Sequence, residues 1–285
     1  MPVDSPTASQ PAPLVSDSRT FRRAIRDLVD GATVHRELWL ELGWQDIKQR
    51  YRRSVIGPFW ITIATGVTAS ALALLWSVLL GANVKELLPQ LTVGFVLWAF
   101  IQSSIVDGAE VFIANEGLIK QLPAPLSVHV YRLVWRHMLF LAHNMIIVVI
   151  VLAIFPPKQW SWTQLSVIPA FGMLAITGVW VSMCFGILAT RYRDIAPLLT
   201  ALTQLLFYIT PVVWTLETVP GGNSERAQLV KLNPLYHYLE MVRGPLTGKP
   251  FDPQHWYVVI GCTIVGLALT LVLMKQFRSR VAYWV

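Results

Sequence analysis

Charged residues are scarce in this sequence of 285 residues: Asp, Glu, Lys and Arg make up 14% of it, whereas hydrophobic residues make up 54%. A typical soluble domain carries roughly 25% charged residues. A chain with so little polar surface is not expected to dissolve as a monomer, which excludes a soluble enzyme. Its apolar residues come in long blocks without a repeating period, which excludes collagen, coiled-coil and disordered classes. The composition predicts an integral membrane protein.

Motifs of enzymatic chemistry are missing as well. The two cysteines, Cys184 and Cys262, lie inside long apolar runs, so we expect neither a disulfide framework nor a metal cluster. The patterns HExxH, GxSxG and GxxxxGK[ST] do not occur, and the pair Gly248–Lys249 is followed by Pro250 instead of Ser or Thr. We therefore predict no catalytic residue and no cofactor bound by this chain. Energy for any pumping would have to come from another polypeptide.

Six uncharged runs are long enough to cross a bilayer core, which takes about 20 residues as a helix. They are Gly57 to Leu80, Leu87 to Val106, Met138 to Phe155, Gln164 to Thr190, Ile195 to Leu216, and Trp256 to Met274. We predict an all-α membrane protein with six transmembrane helices in residues 57–285. Transporters driven by protons or sodium usually bury an ionisable group in the membrane, so the absence of charge from these runs disfavours secondary transport.

The net charge of +7 and the pI near 9.6 are explained by orientation. With the N-terminus in the cytoplasm, 17 of the 23 Lys and Arg residues fall in segments on the inner side and 6 on the outer side. This distribution favours both termini in the cytoplasm. The basic surplus indicates contact with anionic head groups of the bilayer and not a nucleic-acid partner.

The N-terminal region divides into a tail and two helices. Residues 1–18, rich in Pro, Ser and Ala, are predicted to be a disordered tail. In residues 19–56, Phe21, Ile25, Leu28 and Ala32 recur at helical spacing and predict an amphipathic helix on the membrane surface. A solvated helix packed on a partner protein is the alternative.

A second short helix in the same region carries a cluster of cations before the first span. Arg50, Tyr51, Arg52 and Arg53 belong to it, and the Gly57–Pro58 pair should bend the chain after it. This pattern predicts a cationic helix at head-group level. An ordinary positive-inside anchor would give the same pattern.

Short helices are also predicted between the spans. Residues of about 112–123 form a cytoplasmic segment that ends at Pro123 and Pro125, which is typical of a docking helix or of a simple helical turn. On the outer side, about 213–250, two apolar pieces are too short to span, and the second has Asn233 as its cap and Pro234 at its first position. We predict two re-entrant or interfacial helices there.

Four aromatic residues lie deep within the predicted spans: Trp98, Trp180, Phe207 and Tyr208. Flat aromatic faces can stack on the C–H faces of sugars and let a polysaccharide slide past. Helix packing is the alternative for each residue taken singly.

Four segments of the chain carry a recognisable pattern: DIKQRYRRSVIGPFW (Asp46 to Trp60), RYRDIAPLL with TPVVW (Arg191 to Trp214), NPLYHYLEMVRGPLTG (Asn233 to Gly248) and FRSRVAYWV (Phe277 to Val285). Together they resemble the permease subunit of type-2 ABC exporters for O-antigen, galactan, teichoic acid and capsule. They occur in the order and spacing of that family.

The resemblance implies a pore subunit in the bacterial inner membrane, a homodimer with two copies of a cytoplasmic ATPase that binds ATP and Mg²⁺. Such a complex carries a lipid-linked glycan outward. The resemblance assigns residues to three sites, namely a gate for the lipid pyrophosphate (Arg50, Tyr51, Arg52, Arg53), a helix coupled to the ATPase (Asn115, Glu116, Lys120, Leu122) and an outer gate (Glu240, Arg243). An arginine fork suits a pyrophosphate dianion.

Three alternatives remain open at this point. A drug or lipid exporter permease would share the six-helix type-2 architecture. A membrane glycosyltransferase would need carboxylates at a membrane-edge cleft, for which Asp107, Glu110 and Glu116 are few and unpatterned. A channel that works without an ATPase is the third alternative.

Overall fold

The structure is a computed structural model that describes residues 20–52, 56–57, 59–122, 124–157, 161–216 and 228–285. All regular structure in these ranges is helical. The predicted tail, residues 1–18, lies outside the described residues. The all-helical prediction is confirmed for the part of the chain that the structure describes.

The α-helices follow in chain order with short connections. They are α1 (Phe21–Thr33), α2 (Arg36–Tyr51), α3 (Phe59–Leu80), α4 (Val84–Glu110), α5 (Glu116–Gln121), α6 (Ser127–Ile154), α7 (Val167–Arg191), α8 (Ile195–Ile209), α9 (Pro234–Leu246) and α10 (Pro253–Trp284). Short 3-10 turns occur at Ile113–Asn115, Trp162–Ser166 and Leu229–Leu232.

Five stretches are long and apolar enough to cross a membrane: α3, α4, α6, α7 with its preceding 3-10 turn, and α10. The predicted run from Ile195 to Leu216 differs, because α8 ends at Ile209 after 15 residues. A helix of that length is about 22 Å long, whereas the hydrocarbon core is about 30 Å thick. The prediction of six full-length spans is therefore not confirmed, although the membrane fold is.

The early end of α8 has a local cause. Thr210 is extended, with φ −83° and ψ 135°. A residue before proline is disfavoured in the helical region, and Pro211 has no N–H with which to continue the helical hydrogen bonds. The uncharged run continues to Leu216, but its last residues form a turn. Hydrophobicity alone could not reveal this break.

Helix α4 lies at the centre of the bundle and packs against α3, α6, α7, α8 and α9. Small residues allow the closest contact, which is with α7. A Cβ atom at Gly108 would lie 2.6 Å from the Ser182 hydroxyl oxygen, and one at Gly186 would lie 2.8 Å from Val111. Without a hydrophobic driving force between helices in lipid, such close backbone packing is a main source of stability.

Helix α1 packs on α6 and α10 through its small face. Asp27 is buried there and accepts hydrogen bonds from the Ser127 backbone N–H (3.1 Å) and from Nε of Arg278 (2.6 Å). Phe21 and Ile25, from the apolar stripe seen in the sequence, remain 45% and 47% exposed. Their contact with the bilayer surface stays a prediction.

Candidate functional site

An open groove runs over the face of α4 between α3 and α8, with a volume of about 760 Å³. No charged side chain is among the described residues that line it. Its lining consists of aromatic rings, two amides, four hydroxyls and aliphatic groups: Trp60, Ile61, Ala64, Thr65, Thr68, Phe95, Trp98, Ala99, Gln102, Thr203, Gln204, Phe207 and Tyr208. This surface can stack on flat faces and exchange hydrogen bonds without holding a charge.

The aromatic rings of the groove form a continuous face. Phe207 lies at its centre, 5.5 Å from Trp98, 6.1 Å from Phe95 and 5.3 Å from Tyr208 between ring centroids. Trp98 is buried at the floor, whereas Tyr208 is 68% exposed and Trp60 is 64% exposed at the edges. Three of the four aromatic residues predicted to line a channel therefore lie together.

Trp180, the fourth, lies apart from the groove. It packs between α7 and α10, where a Cβ atom on Gly266 would approach its ring to 2.2 Å. These surroundings are those of a residue that packs one helix against another, which is the alternative given above for each aromatic residue. Phe95, Gln102 and Gln204 also line the groove and were not predicted to do so; their shared signal is their spacing on the faces of α4 and α8 that meet there.

The break after α8 is held by hydrogen bonds from side chains elsewhere in the chain. Nη1 of Arg243 donates to the Pro211 carbonyl oxygen at 2.6 Å, and the Trp76 indole donates to the Val213 carbonyl oxygen at 2.7 Å. The Asn233 amide donates to the Thr210 hydroxyl at 2.8 Å. Backbone carbonyls freed by a break in a membrane protein need partners inside the protein, and Arg243 and Trp76 supply them for Pro211 and Val213.

The two residues assigned to an outer gate, Glu240 and Arg243, form a buried pair that holds the break after α8. We call this pair the clamp. Arg243 and Glu240 are 1% and 6% exposed, and Nε of Arg243 donates to Glu240 Oε1 at 2.9 Å. On α4, a Cβ atom at Gly94 would lie 2.8 Å from the Val212 carbonyl oxygen, so glycine allows the clamped turn to approach. Neither Glu240 nor Arg243 lines the groove. Their role in gating stays a prediction.

Helix α2 is fixed against α6 by an ion pair that the sequence did not reveal. Asp46 accepts from Nε of Arg132 at 2.8 Å and pairs with Arg136 at 3.4 Å. One turn further along, the Arg50 guanidinium lies 5.4 Å from the Phe140 ring centroid. A cation over an aromatic face at this distance is attracted by the ring.

The other residues assigned to the gate lie at the end of this helix. Tyr51 is edge-on to Phe140, and its hydroxyl is buried without a hydrogen-bond partner in the described structure. Arg52 is exposed, and Arg53 lies outside the described residues.

The residues assigned to coupling lie on and beside α5. Lys120 bonds to Glu116 at 2.6 Å and to the Val285 carbonyl oxygen at 2.9 Å, which ties α5 to the end of α10. The hydrogen bond and the charge of Lys120 lower the pKa of Glu116 below its ordinary value. Asn115 accepts from Nη1 of Arg132 at 3.3 Å, and Leu122 is exposed.

Two further motifs meet at the end of α10. The Arg191 guanidinium lies 5.2 Å from the ring centroids of Tyr192 and Trp284 and 5.7 Å from that of Phe277. Nη2 of Arg193 donates to the Trp284 carbonyl oxygen at 3.1 Å. The RYRD and AYWV segments, distant in sequence, thus form one latch between the α7–α8 turn and α10.

The sequence pattern of the ABC-2 type transporter family matches residues 37–246, from the start of α2 to the end of α9. Two O-antigen export system permease proteins RfbA from Klebsiella pneumoniae are each 24% identical over 242 residues, covering 82% of this chain and 91% of the relative. A protein of the same name from Myxococcus xanthus is 23% identical over 215 residues, covering 75% of this chain and 80% of the relative. The chain belongs to the ABC-2 type transporter family.

Proposed function

We propose that this chain is the pore subunit of an ATP-driven exporter that moves a lipid-linked polysaccharide, of O-antigen or galactan type, out across the bacterial inner membrane. The observation that carries the proposal is the uncharged groove of aromatic, amide and hydroxyl groups in a permease whose relatives are O-antigen export permeases. Sugars stack on aromatic faces, and their hydroxyls bond to amides. Such contacts are individually weak, so a polymer can slide along them.

A second copy of the chain would close the groove into a channel. Helix α3 supplies one wall, yet only Thr62, Ala69 and Ala73 are buried on it. The opposite wall, α8, likewise leaves Leu198, Leu205 and Tyr208 more than half exposed. Two such grooves facing each other would surround a glycan chain. This geometry supports the homodimer that the family resemblance implies.

Energy would enter through α5. Two copies of a cytoplasmic ATPase, which bind ATP and Mg²⁺, would dock at this helix, where Glu116, Lys120 and Leu122 are exposed. The hydrogen bond from Lys120 to the end of α10 would carry a displacement of α5 into the bundle. A separate bond between Asp27 and Arg278 places α1 beside the C-terminal part of α10. This proximity supports both termini on the same, cytoplasmic side.

The lipid pyrophosphate would be received at the end of α2. Arg50 and Arg52 supply cations there, and Arg53 follows them in the sequence. The Tyr51 hydroxyl is buried and has no hydrogen-bond partner in the described structure. Charge-assisted hydrogen bonds to phosphate are roughly twice as strong as neutral ones. This end of α2 leads toward the α3 edge of the groove, where Trp60 begins the lining.

Transport in reconstituted vesicles tests the proposal. The chain is purified with its ATPase, reconstituted, and supplied with polyprenyl-pyrophosphate-linked glycan on the side of the ATPase. We expect Tyr208→Ala, at the groove edge, to lower export several-fold while ATP hydrolysis continues. Tyr257→Ala is the matched control, because Tyr257 is 74% exposed on α10, outside the groove lining. A complex that hydrolyses ATP but moves no lipid-linked glycan would refute the proposal.

A further inference from the structure

A second, smaller cavity of about 200 Å³ lies where α9 turns into α10. It shares no described lining residue with the groove. The clamp described above stands behind it, because Glu240 contributes to both. The cavity is therefore separate from the groove.

Aromatic rings form two walls of this cavity. Phe251 and Trp256 lie 6.5 Å apart between centroids with their planes tilted by 33°. The Tyr236 ring, which also lines the cavity, stands edge-on to His255 at 5.5 Å. The walls are thus built largely from rings.

Hydrogen-bond acceptors occupy the space between these walls. Arg243 donates a hydrogen bond to the Oε1 atom of Glu240. This bond fixes the orientation of the whole carboxylate, including its Oε2 atom. That Oε2 atom is 3.9 Å from where a Cβ atom on Gly244 would stand, and Gly244 lines the cavity. Asp252 contributes a second carboxylate, which is half-exposed.

The hydrogen bonds of His255 leave one ring nitrogen as a further acceptor. His237 must donate from Nε2, because its partner at 2.8 Å is the Lys231 carbonyl oxygen. With both rings neutral, His237 Nδ1 then accepts, and His255 Nδ1, 2.9 Å away, donates to it. The Nε2 atom of His255 consequently carries a lone pair, 3.8 Å from Asp252 Oδ2 and beyond hydrogen-bonding distance.

We infer that this cavity binds one sugar ring of the exported glycan, and this inference rests on the proposed function. Two carboxylates and a histidine lone pair accept hydrogen bonds from sugar hydroxyls, while the aromatic walls stack on the ring. The carboxylates of Glu240 and Asp252 are offset by the cations of Lys249 and Arg243, so the surroundings suit a neutral ligand better than an ion.

A single methyl group tests the assignment. In Gly244→Ala the added Cβ atom meets nothing closer than 3.9 Å, so the helix should tolerate it while the cavity loses space beside Glu240. Gly172→Ala is the matched control, since a Cβ atom at Gly172 in α7 has no atom within 4 Å. Asp252→Asn removes the charge and keeps the oxygen that caps α10.

The probes are methyl glycosides of D-galactose, D-mannose, L-rhamnose and N-acetyl-D-glucosamine, added to the full chain in nanodiscs. Saturation-transfer NMR measures their contact with the protein. We expect at least one glycoside to bind, its signal to fall at least threefold in Gly244→Ala and in Asp252→Asn, and the Gly172→Ala signal to match the unmodified chain.

Two results would overturn the inference: no glycoside binds, or the bound signal is equal in Gly244→Ala and Gly172→Ala. Export by the unmodified chain is measured in parallel. If export proceeds and no probe binds, the cavity assignment fails and the proposed function stands. If the probes bind as expected and no glycan is exported, the proposed function fails, and with it the identification of the bound ring as exported glycan.

Discussion

Replacing Arg243 with methionine should destabilise the protein more than replacing it together with its partner. The Arg243 side chain is 1% exposed, bonds to Glu240 and also donates to the Pro211 carbonyl oxygen at 2.6 Å. Methionine has a similar length but no charge and no donor. Arg243→Met therefore leaves a buried carboxylate without its cation and a buried carbonyl without its donor.

The magnitude follows from these two losses. Breaking a buried ion pair by removing one partner costs about 3–5 kcal/mol, because the other charge is left uncompensated. The orphaned Pro211 carbonyl adds about 1–3 kcal/mol. In the double variant Glu240→Leu with Arg243→Met neither charge of the pair remains, so mainly the carbonyl loss of about 1–3 kcal/mol should persist. The double variant is thus expected to be more stable than Arg243→Met alone.

Equilibrium unfolding in mixed micelles, with increasing denaturing detergent, measures these differences for both variants. Arg22→Met is the control, since Arg22 is exposed on α1. If the double variant is as unstable as Arg243→Met or less stable, the loss does not come from an uncompensated charge. The account of Glu240 and Arg243 as a clamp on the break after α8 would then be wrong.

Three further substitutions test the packing and the charges. Asp27→Ala should lower the free energy of unfolding by about 3 kcal/mol or more, because it leaves Arg278 unpaired and removes the cap of α6. Asp30→Ala, on the same helix, should change the free energy of unfolding little. Denaturing-detergent titration of the two variants measures the difference. Gly266→Ala should lower the melting temperature by several degrees, because its Cβ atom would lie 2.2 Å from the Trp180 ring, while Gly261→Ala, with open space around its Cβ atom, should not. Lys120→Met should raise the pKa of Glu116 back toward 4.5, and carboxyl-carbon NMR titration of the unmodified chain and the variant measures this pKa. The stabilisation of the folded state by the Glu116 carboxylate is present above pH 4.5 and is lost as the pH falls through the lowered pKa of the folded state. An unchanged titration would contradict the Glu116–Lys120 contact.

The membrane class and the positions of five spans could be predicted because they depend only on composition and on runs of uncharged residues. The N-terminus of α9 was also predictable, since Asn233 accepts from the Leu235 N–H and Pro234 occupies the first turn, which is a purely local arrangement. At the end of α8 the sequence carries conflicting signals, because Pro211 predicts a break in the chain whereas the uncharged run from Ile195 to Leu216 predicts one continuous span. A turn at membrane depth becomes acceptable only when Arg243, Trp76 and Asn233 supply its hydrogen bonds from other helices.

The candidate site was predictable in part for the same reason. Trp98, Phe207 and Tyr208 stood out as deep aromatic residues, but nothing in the sequence distinguished them from Trp180, which faces α10. Only the packing of α3, α4 and α8 decides which rings share a surface. Asp27 and Asp46 were missed because a lone carboxylate on an amphipathic helix has the pattern of a solvated residue. Their partners are on α6 and α10, about a hundred residues or more away for Asp27.

The end of α10 shows what such distant contacts imply for coupling. Lys120 of α5 and Arg193 of the α7–α8 turn each donate to a backbone carbonyl of the last two residues, and Arg278 reaches α1. Helix α5 and the α7–α8 turn are therefore both bonded to the end of α10. Since that turn leads into α8, which carries Phe207 and Tyr208 into the groove, a chain of contacts connects the exposed helix α5 with the aromatic wall. The FRSRVAYWV and RYRD segments carry no chemistry of their own, and making this connection is the structural role that their contacts give them.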